Sequence, residues 1–81
     1  MTTITIRLNS IDKVKNFVNI LTTTTDFESD LVSGRYVIDA KSIMGVFSLD
    51  LSKDITMNIH CDDKAELDAL YEKLGDIVVS K

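Results

Sequence analysis

The spacing of apolar residues along this chain switches repeatedly between two and three-to-four, and no other feature restricts the fold so strongly. Ile4, Ile6 and Leu8 stand on one side of the first stretch, with Thr3, Thr5 and Arg7 on the other. That is the period-two signature of a half-buried strand. From Ile11 the step lengthens, since Ile11, Val14, Phe17, Val18 and Leu21 recur every three or four residues and share one face of a helix. Ser10 is its expected N-cap. The β-branched run Thr22 to Thr25 is expected to end it, because such residues lose side-chain freedom against the preceding turn.

Phe27, Leu31 and Val32 lead into a second strand, Ser33-Gly34 offers a hairpin turn, and Tyr36, Val37 and Ile38 make the returning strand. A short helix is predicted after Ser42, running toward Leu49, with Gly45 weakening its interior. Ile55, Met57, Ile59 and Cys61 then alternate with Thr56, Asn58 and His60 as a fourth strand. Asp63 and Glu66 form a capping box, after which Leu67, Leu70, Tyr71, Leu74 and Ile77 or Val78 line one face of a closing helix. The expected order is β-α-β-β-α-β-α. Packed economically, it gives an α+β open-faced sandwich: a four-stranded antiparallel sheet with three helices on one face.

A length of 81 residues allows one hydrophobic core, and with no proline, repeat or low-complexity stretch to mark a linker, a single domain over residues 1–81 is expected. Hydrophobic residues at 44% and charged residues at 27% fit a globular chain. The nine basic residues are scattered and the net charge is −4, which argues against a nucleic-acid partner. No apolar run approaches the roughly 18 residues that span a bilayer, and no signal pattern opens the chain, so no membrane insertion and a cytoplasmic location are expected. The lone cysteine, Cys61, agrees with a reducing compartment.

Few residues suggest chemistry. His60, the only histidine, falls mid-strand on the face opposite Ile59 and Cys61, the setting of a sheet-surface side chain. Cys61 continues the apolar face as a small hydrophobe. Asp62, Asp63 and Glu66 have the spacing of a helix start, where carboxylates complement the dipole, and match no metal loop. Asp50 and Asp54 flank a turn and suit local backbone bonding. Gly34, Gly45 and Gly75 lie too far apart to cradle a nucleotide phosphate. No catalytic residue, metal site or cofactor is expected, and the chain reads as no enzyme.

Ser42 differs from the other polar residues. It opens a helix and is followed by Ile43, Met44, Val46 and Phe47, which cannot all be buried in so short an element. An exposed apolar cluster beside a phosphorylatable hydroxyl is a candidate switchable docking surface; the plainer reading is an N-cap with core residues behind it.

The segment Ala40-Lys41-Ser42-Ile43-Met44-Gly45-Val46, continued by Phe47-Ser48-Leu49, resembles the regulatory-serine segment of the HPr family, phosphocarriers of the bacterial sugar phosphotransferase system. The similarity extends through Ser52-Lys53 and Ile55 into the closing helix, and the element order is the HPr order. The resemblance implies two phosphate sites: a histidine that relays phosphate from enzyme I, and a serine modified by HPr kinase. Only the serine has a counterpart, Ser42, with Lys41, Ile43, Met44 and Phe47 as candidate partner-binding residues. Where the family carries His-Ala-Arg-Pro-Ala, this chain reads Asn9-Ser10-Ile11-Asp12-Lys13-Val14-Lys15-Asn16, a divergent pattern without histidine, arginine or proline, and with Lys13 near the histidine position.

The expected function is therefore regulatory or partner-binding through Ser42, with HPr kinase, enzyme I or a transcriptional regulator as partners by resemblance. A phosphate on Ser42 would gain about 0.3–1 kcal/mol from the helix dipole. The alternatives are a phosphocarrier with a non-standard acceptor, such as Asp12 or Ser10, and an unphosphorylated interaction module.

Overall fold

The computed structural model describes all residues from Met1 to Lys81. Its elements run β1 (Thr2–Ile6), α1 (Ile11–Thr24), β2 (Ser29–Ser33), β3 (Tyr36–Asp39), α2 (Ile43–Phe47), β4 (Ile55–Ile59), α3 (Lys64–Leu74), a 3-10 turn (Gly75–Ile77) and β5 (Val78–Ser80). The strands form one antiparallel sheet in the order β3-β2-β4-β1-β5. This is an α+β open sandwich with three α-helices, but its sheet has five strands where the sequence predicted four.

The extra strand comes from an early end to the closing helix. Gly75 takes φ +57, a left-handed conformation open to glycine, and its N–H caps Tyr71 O. The following 3-10 turn buries Ile77, whose carbonyl accepts from Arg7 N at 2.9 Å. Val78 then pairs with Ile6 and Ser80 with Thr5, across an irregularity in register. Ile77 and Val78 fit a helix face as well as a turn and strand, and three residues are too few to display a period.

Alternation placed β1 and β4 well, while β2 begins at Ser29, after Phe27. β1 stops at Ile6, although Leu8 remains fully buried in the connection beyond it. Ile4 lies opposite Met57 and Ile6 opposite Ile55, so the central pair β1 and β4 delivers buried side chains to the same face. α1 covers that face with Val14, Phe17, Val18 and Leu21, and α3 with Leu67, Leu70 and Leu74. Together with Leu31, Val46 and their neighbours these make one cluster of 18 buried residues. The polar partners Thr3, Thr5, Thr56, Asn58 and Asp30 line the other, open face.

The threonine run closes α1 at Thr24, and its hydroxyls bond back to carbonyls one turn earlier. Thr22, Thr23 and Thr25 donate to the carbonyls of Val18, Asn19 and Leu21 at 3.0, 2.7 and 2.7 Å, and Thr24 does the same to Ile20. These hydroxyls satisfy or reinforce carbonyls of the last turn. In the hairpin, Gly34 and Arg35 form a two-residue turn with Gly34 at φ +59, as a II′-type turn requires at its first central position.

Ser29 is 1% exposed, and its hydroxyl has no hydrogen-bond partner, while its carbonyl accepts from Ala40 N at 2.9 Å. An unmet buried hydroxyl carries a desolvation cost that alanine removes without touching the backbone bond. Ser29→Ala is expected to leave the fold unchanged and raise stability by up to about 1–2 kcal/mol; urea titration checks it, and a clear loss of stability would contradict it.

Candidate functional site

Ser42 sits where the chain turns out of β3. The Asp39 carboxylate accepts from Lys41 N at 2.9 Å and the Asp39 carbonyl from Ser42 N at 3.0 Å, which folds the backbone back toward the helices. Ser42 keeps an extended backbone (φ −92, ψ 100), and its hydroxyl accepts from Gly45 N at 3.3 Å while its carbonyl accepts from Val46 N at 2.9 Å. It is the N-cap that the sequence predicted, and its side chain is exposed.

Gly45 has a steric reason to be glycine. A Cβ there would lie 2.5 Å from Ile38 Cγ2 and 3.2 Å from Ser42 Oγ. The missing side chain lets α2 rest on β3 and brings the Gly45 amide to the Ser42 hydroxyl. Val46 anchors the helix in the core, fully buried. Met44 projects outward, 78% exposed, and Ile43 and Phe47 are each 37% exposed. One side of α2 is thus an N-cap with a core residue behind it, and the other is an exposed apolar cluster beside a hydroxyl.

Lys41 is placed differently from its apolar neighbours. Its side-chain Nζ donates to the Thr25 carbonyl at 3.2 Å, tying the segment to the end of α1. Nothing in the local sequence signalled this tether, because Thr25 is sixteen residues away.

The remaining candidates are dispersed. Ile59 lies opposite Thr2 and Ile55 opposite Ile6, so His60 follows one end of the central strand pair while α1 departs from the other. Those ends are about 14 Å apart along the strand. His60 lies on the open face with Nε2 3.1 Å from Asp30 Oδ2. Cys61 falls beyond the end of β4, half-buried against the core, and its thiol donates to Glu66 Oε2 at 3.5 Å. Burial pushes that thiol's pKa up; Glu66 adds to the effect and a backbone bond at Asp63 opposes it.

Asp63 caps α3, accepting from Ala65 N at 3.0 Å and Glu66 N at 3.4 Å, but the Glu66 carboxylate is turned to Cys61 and so serves another partner. No group of three or more His, Cys, Asp or Glu side chains converges as metal ligands would. At the start of α1, Ser10 Oγ accepts from Lys13 N at 3.2 Å, Asp12 is exposed, and Lys13 Nζ lies 3.6 Å from Asp76. Arg7 pairs with Asp54 at 2.7 Å, which raises the guanidinium's pKa through the hydrogen bond and the carboxylate's charge.

A model of the phosphorylation site of the HPr component of the phosphotransferase system matches residues 3–78. The chain belongs to the HPr family. Its kinship is with phosphocarriers, proteins of phosphoryl transfer that are not themselves enzymes. Among solved structures, the crystal structure of HPr-C-His from Thermoanaerobacter tengcongensis is similar, with a TM-score of 0.67 and 24% identity, over 93% of this chain and 97% of that one. That likeness establishes the HPr-like fold. A comparison with curated protein sequences finds no match. No helix in this HPr-family chain is long and apolar enough to cross a membrane.

Two outcomes follow from the geometry of the HPr segment and the loop after it. Gly45→Ala gains about 1 kcal/mol of helix propensity but forces a methyl into Ile38, which typically costs about 1–3 kcal/mol, so a net loss of up to about 2 kcal/mol is expected in denaturant titration. Asp50 accepts from Ser52 Oγ at 2.6 Å and Ser52 N at 3.1 Å, bonds that hold its pKa below the ordinary aspartate value, with Lys53 adding to the shift. Its contribution to stability is therefore present above the ordinary aspartate pKa and is lost as pH falls through the depressed one. Carboxyl-carbon NMR should place the Asp50 titration low, and Ser52→Ala should move it upward.

Proposed function

We propose that this HPr-family protein acts as a regulatory or partner-binding member through Ser42 and the residues after it, and does not relay phosphate through a histidine. The observation that carries the reading is the exposed Ser42 hydroxyl at the head of α2 with Ile43, Met44 and Phe47 exposed beside it. Phosphoryl relay needs a ring nitrogen that accepts phosphate near donors that hold the anion. The chain's one histidine, His60, lies at the other end of β1 from α1, on the open face beside Asp30.

Phosphorylation of Ser42 would add about −1.5 to −2 charges at the edge of the apolar cluster. α2 spans only Ile43–Phe47, so the helix dipole is a minor influence and the switch lies in the surface itself. Unmodified, the cluster presents Met44 and Phe47 to an apolar partner; modified, the same place carries an anion that an arginine-bearing partner can grip. Family membership supports partners of the phosphotransferase system such as enzyme I, and the Ser42 segment adds HPr kinase or a transcriptional regulator of the carbon-regulation system as proposed partners.

The test is incubation with HPr kinase and ATP, followed by intact-mass measurement and acid treatment. One acid-stable phosphate is expected, absent in Ser42→Ala, whereas enzyme I with phosphoenolpyruvate should add none. The Ser42→Ala protein loses a cap of about 1 kcal/mol and should remain folded, which circular dichroism checks. An acid-labile phosphate transferred from enzyme I, for instance as an acyl phosphate on Asp12, would overturn the reading in favour of relay.

A further inference from the structure

The strand β3 forms one edge of the sheet, with no strand beyond it; of its outward-facing groups the Asp39 carbonyl already accepts from Ser42 N, while Val37 bonds to nothing outside the sheet. Ala40 N donates to Ser29 O, and the register pairs Leu31 with Ile38 and Ser33 with Tyr36. In an antiparallel ladder hydrogen-bonded and non-bonded pairs alternate, so residues 36, 38 and 40 direct their amides to β2 while Val37 and Asp39 direct theirs outward. An edge of this kind is a ready template for another strand. Tyr36 is 68% exposed and Val37 65% exposed, two large apolar residues side by side on that edge.

We propose that β3 pairs antiparallel with β3 of a second copy of this chain, joining the two sheets about a two-fold axis through Val37. The segment Arg35-Tyr36-Val37-Ile38-Asp39 is complementary to its own reversal. In the register centred on Val37, Val37 meets its counterpart, Tyr36 meets Ile38, and Arg35 meets Asp39, each of the last two twice. The register sets the outward-facing backbone groups of Val37 directly opposite one another. An isologous contact of this kind closes on itself.

The charges at the two ends of the segment lack ion-pair partners within the chain. The ion pairs of the molecule involve Met1, Arg7, Lys13 and Lys53 as cations, and Asp62, Asp54, Asp76 and Asp50 as acids, and His60 lies 3.1 Å from Asp30. Neither Arg35 nor Asp39 is among them. Asp39 stands directly across the β2 to β3 pair from Asp30, a like-charge neighbour that makes a cation on its other side favourable. Arg35 of a second copy supplies that cation. The opposite edge, β5, is three residues long and pairs less readily.

A short strand pair buries little surface, so the dimer should be weak and visible only at high protein concentration. Sedimentation velocity of the full chain is expected to show a reversible monomer and dimer as concentration rises to about 1 mM. Val37→Lys, at an exposed position, sets like charges together at the axis and should weaken association at least about tenfold without changing the thermal melt. Arg35→Asp and Asp39→Lys should each weaken self-association similarly, and an equimolar mixture of the two should recover it as a heterodimer, since each acidic strand then meets a basic one. A wild-type chain that stays monomeric throughout overturns the proposal, as does a dimer indifferent to Val37→Lys or a mixture that remains monomeric. If Asp39→Lys disturbs the turn before Ser42 and fails to fold, Val37→Lys and Arg35→Asp alone decide the matter.

Discussion

Everything in this fold is arranged around the pairing of β1 with β4. Those two strands lie fourth and third in the sheet, so each has a strand on both sides, and their register sets Ile4 against Met57 and Ile6 against Ile55. A slip of one residue would turn those buried side chains to the open face and bring threonines inward. The helices can pack only because that apolar face is continuous, and the connections that carry Ser10 and Ser42 are positioned by the strands they leave. α1 departs from the Ile6 end and His60 follows the Ile59 end, so the same pairing that builds the core separates the histidine from the start of α1.

Most of this was legible because burial on one face imposes a period. The runs Thr3 to Leu8 and Ile55 to Cys61 alternate, and Val14, Phe17, Val18 and Leu21 share a helix face; the elements stand there with ends shifted by a few residues. Cys61 falls outside β4, which ends at Ile59, although His60 N still donates to Glu28 O in the same register beyond the strand's limit. β5 was illegible for a different reason: Ile77 and Val78 satisfy the stripe of a helix, and the glycine that ends α3 is a tolerable helix residue until its positive φ is known. The half-formed capping box has a similar origin, since a side chain's choice between Cys61 and the Asp63 amide is made by tertiary geometry.

The candidate site was legible in its residues and illegible in its construction. Ser42 as N-cap and the crowding of Ile43, Met44, Val46 and Phe47 follow from local chemistry, and the structure distributes them with Val46 inside and the rest outside. The role of Gly45 does not follow, because its constraint comes from Ile38 in another element. The sequence suggested only that glycine weakens a helix; the structure makes the same glycine the condition for seating α2 on β3. Lys41 likewise reads as a surface cation but reaches Thr25.

The bond from Gly45 N to Ser42 Oγ is long, at 3.3 Å, and an N-cap is worth about 1 kcal/mol against a typical stability of about 5–15 kcal/mol. A phosphate ester keeps that oxygen as an acceptor, so modification at Ser42 would act on a hydrogen bond the fold can spare. The core contact of α2 is made by Val46, and Gly45 sits on Ile38, both on the side away from the exposed cluster. Charge added beside Met44 therefore alters what the surface can bind while the attachments that hold the surface in place stay as they are. The proposed switch would rest on this separation between the Ser42 hydroxyl and the side chains that anchor α2.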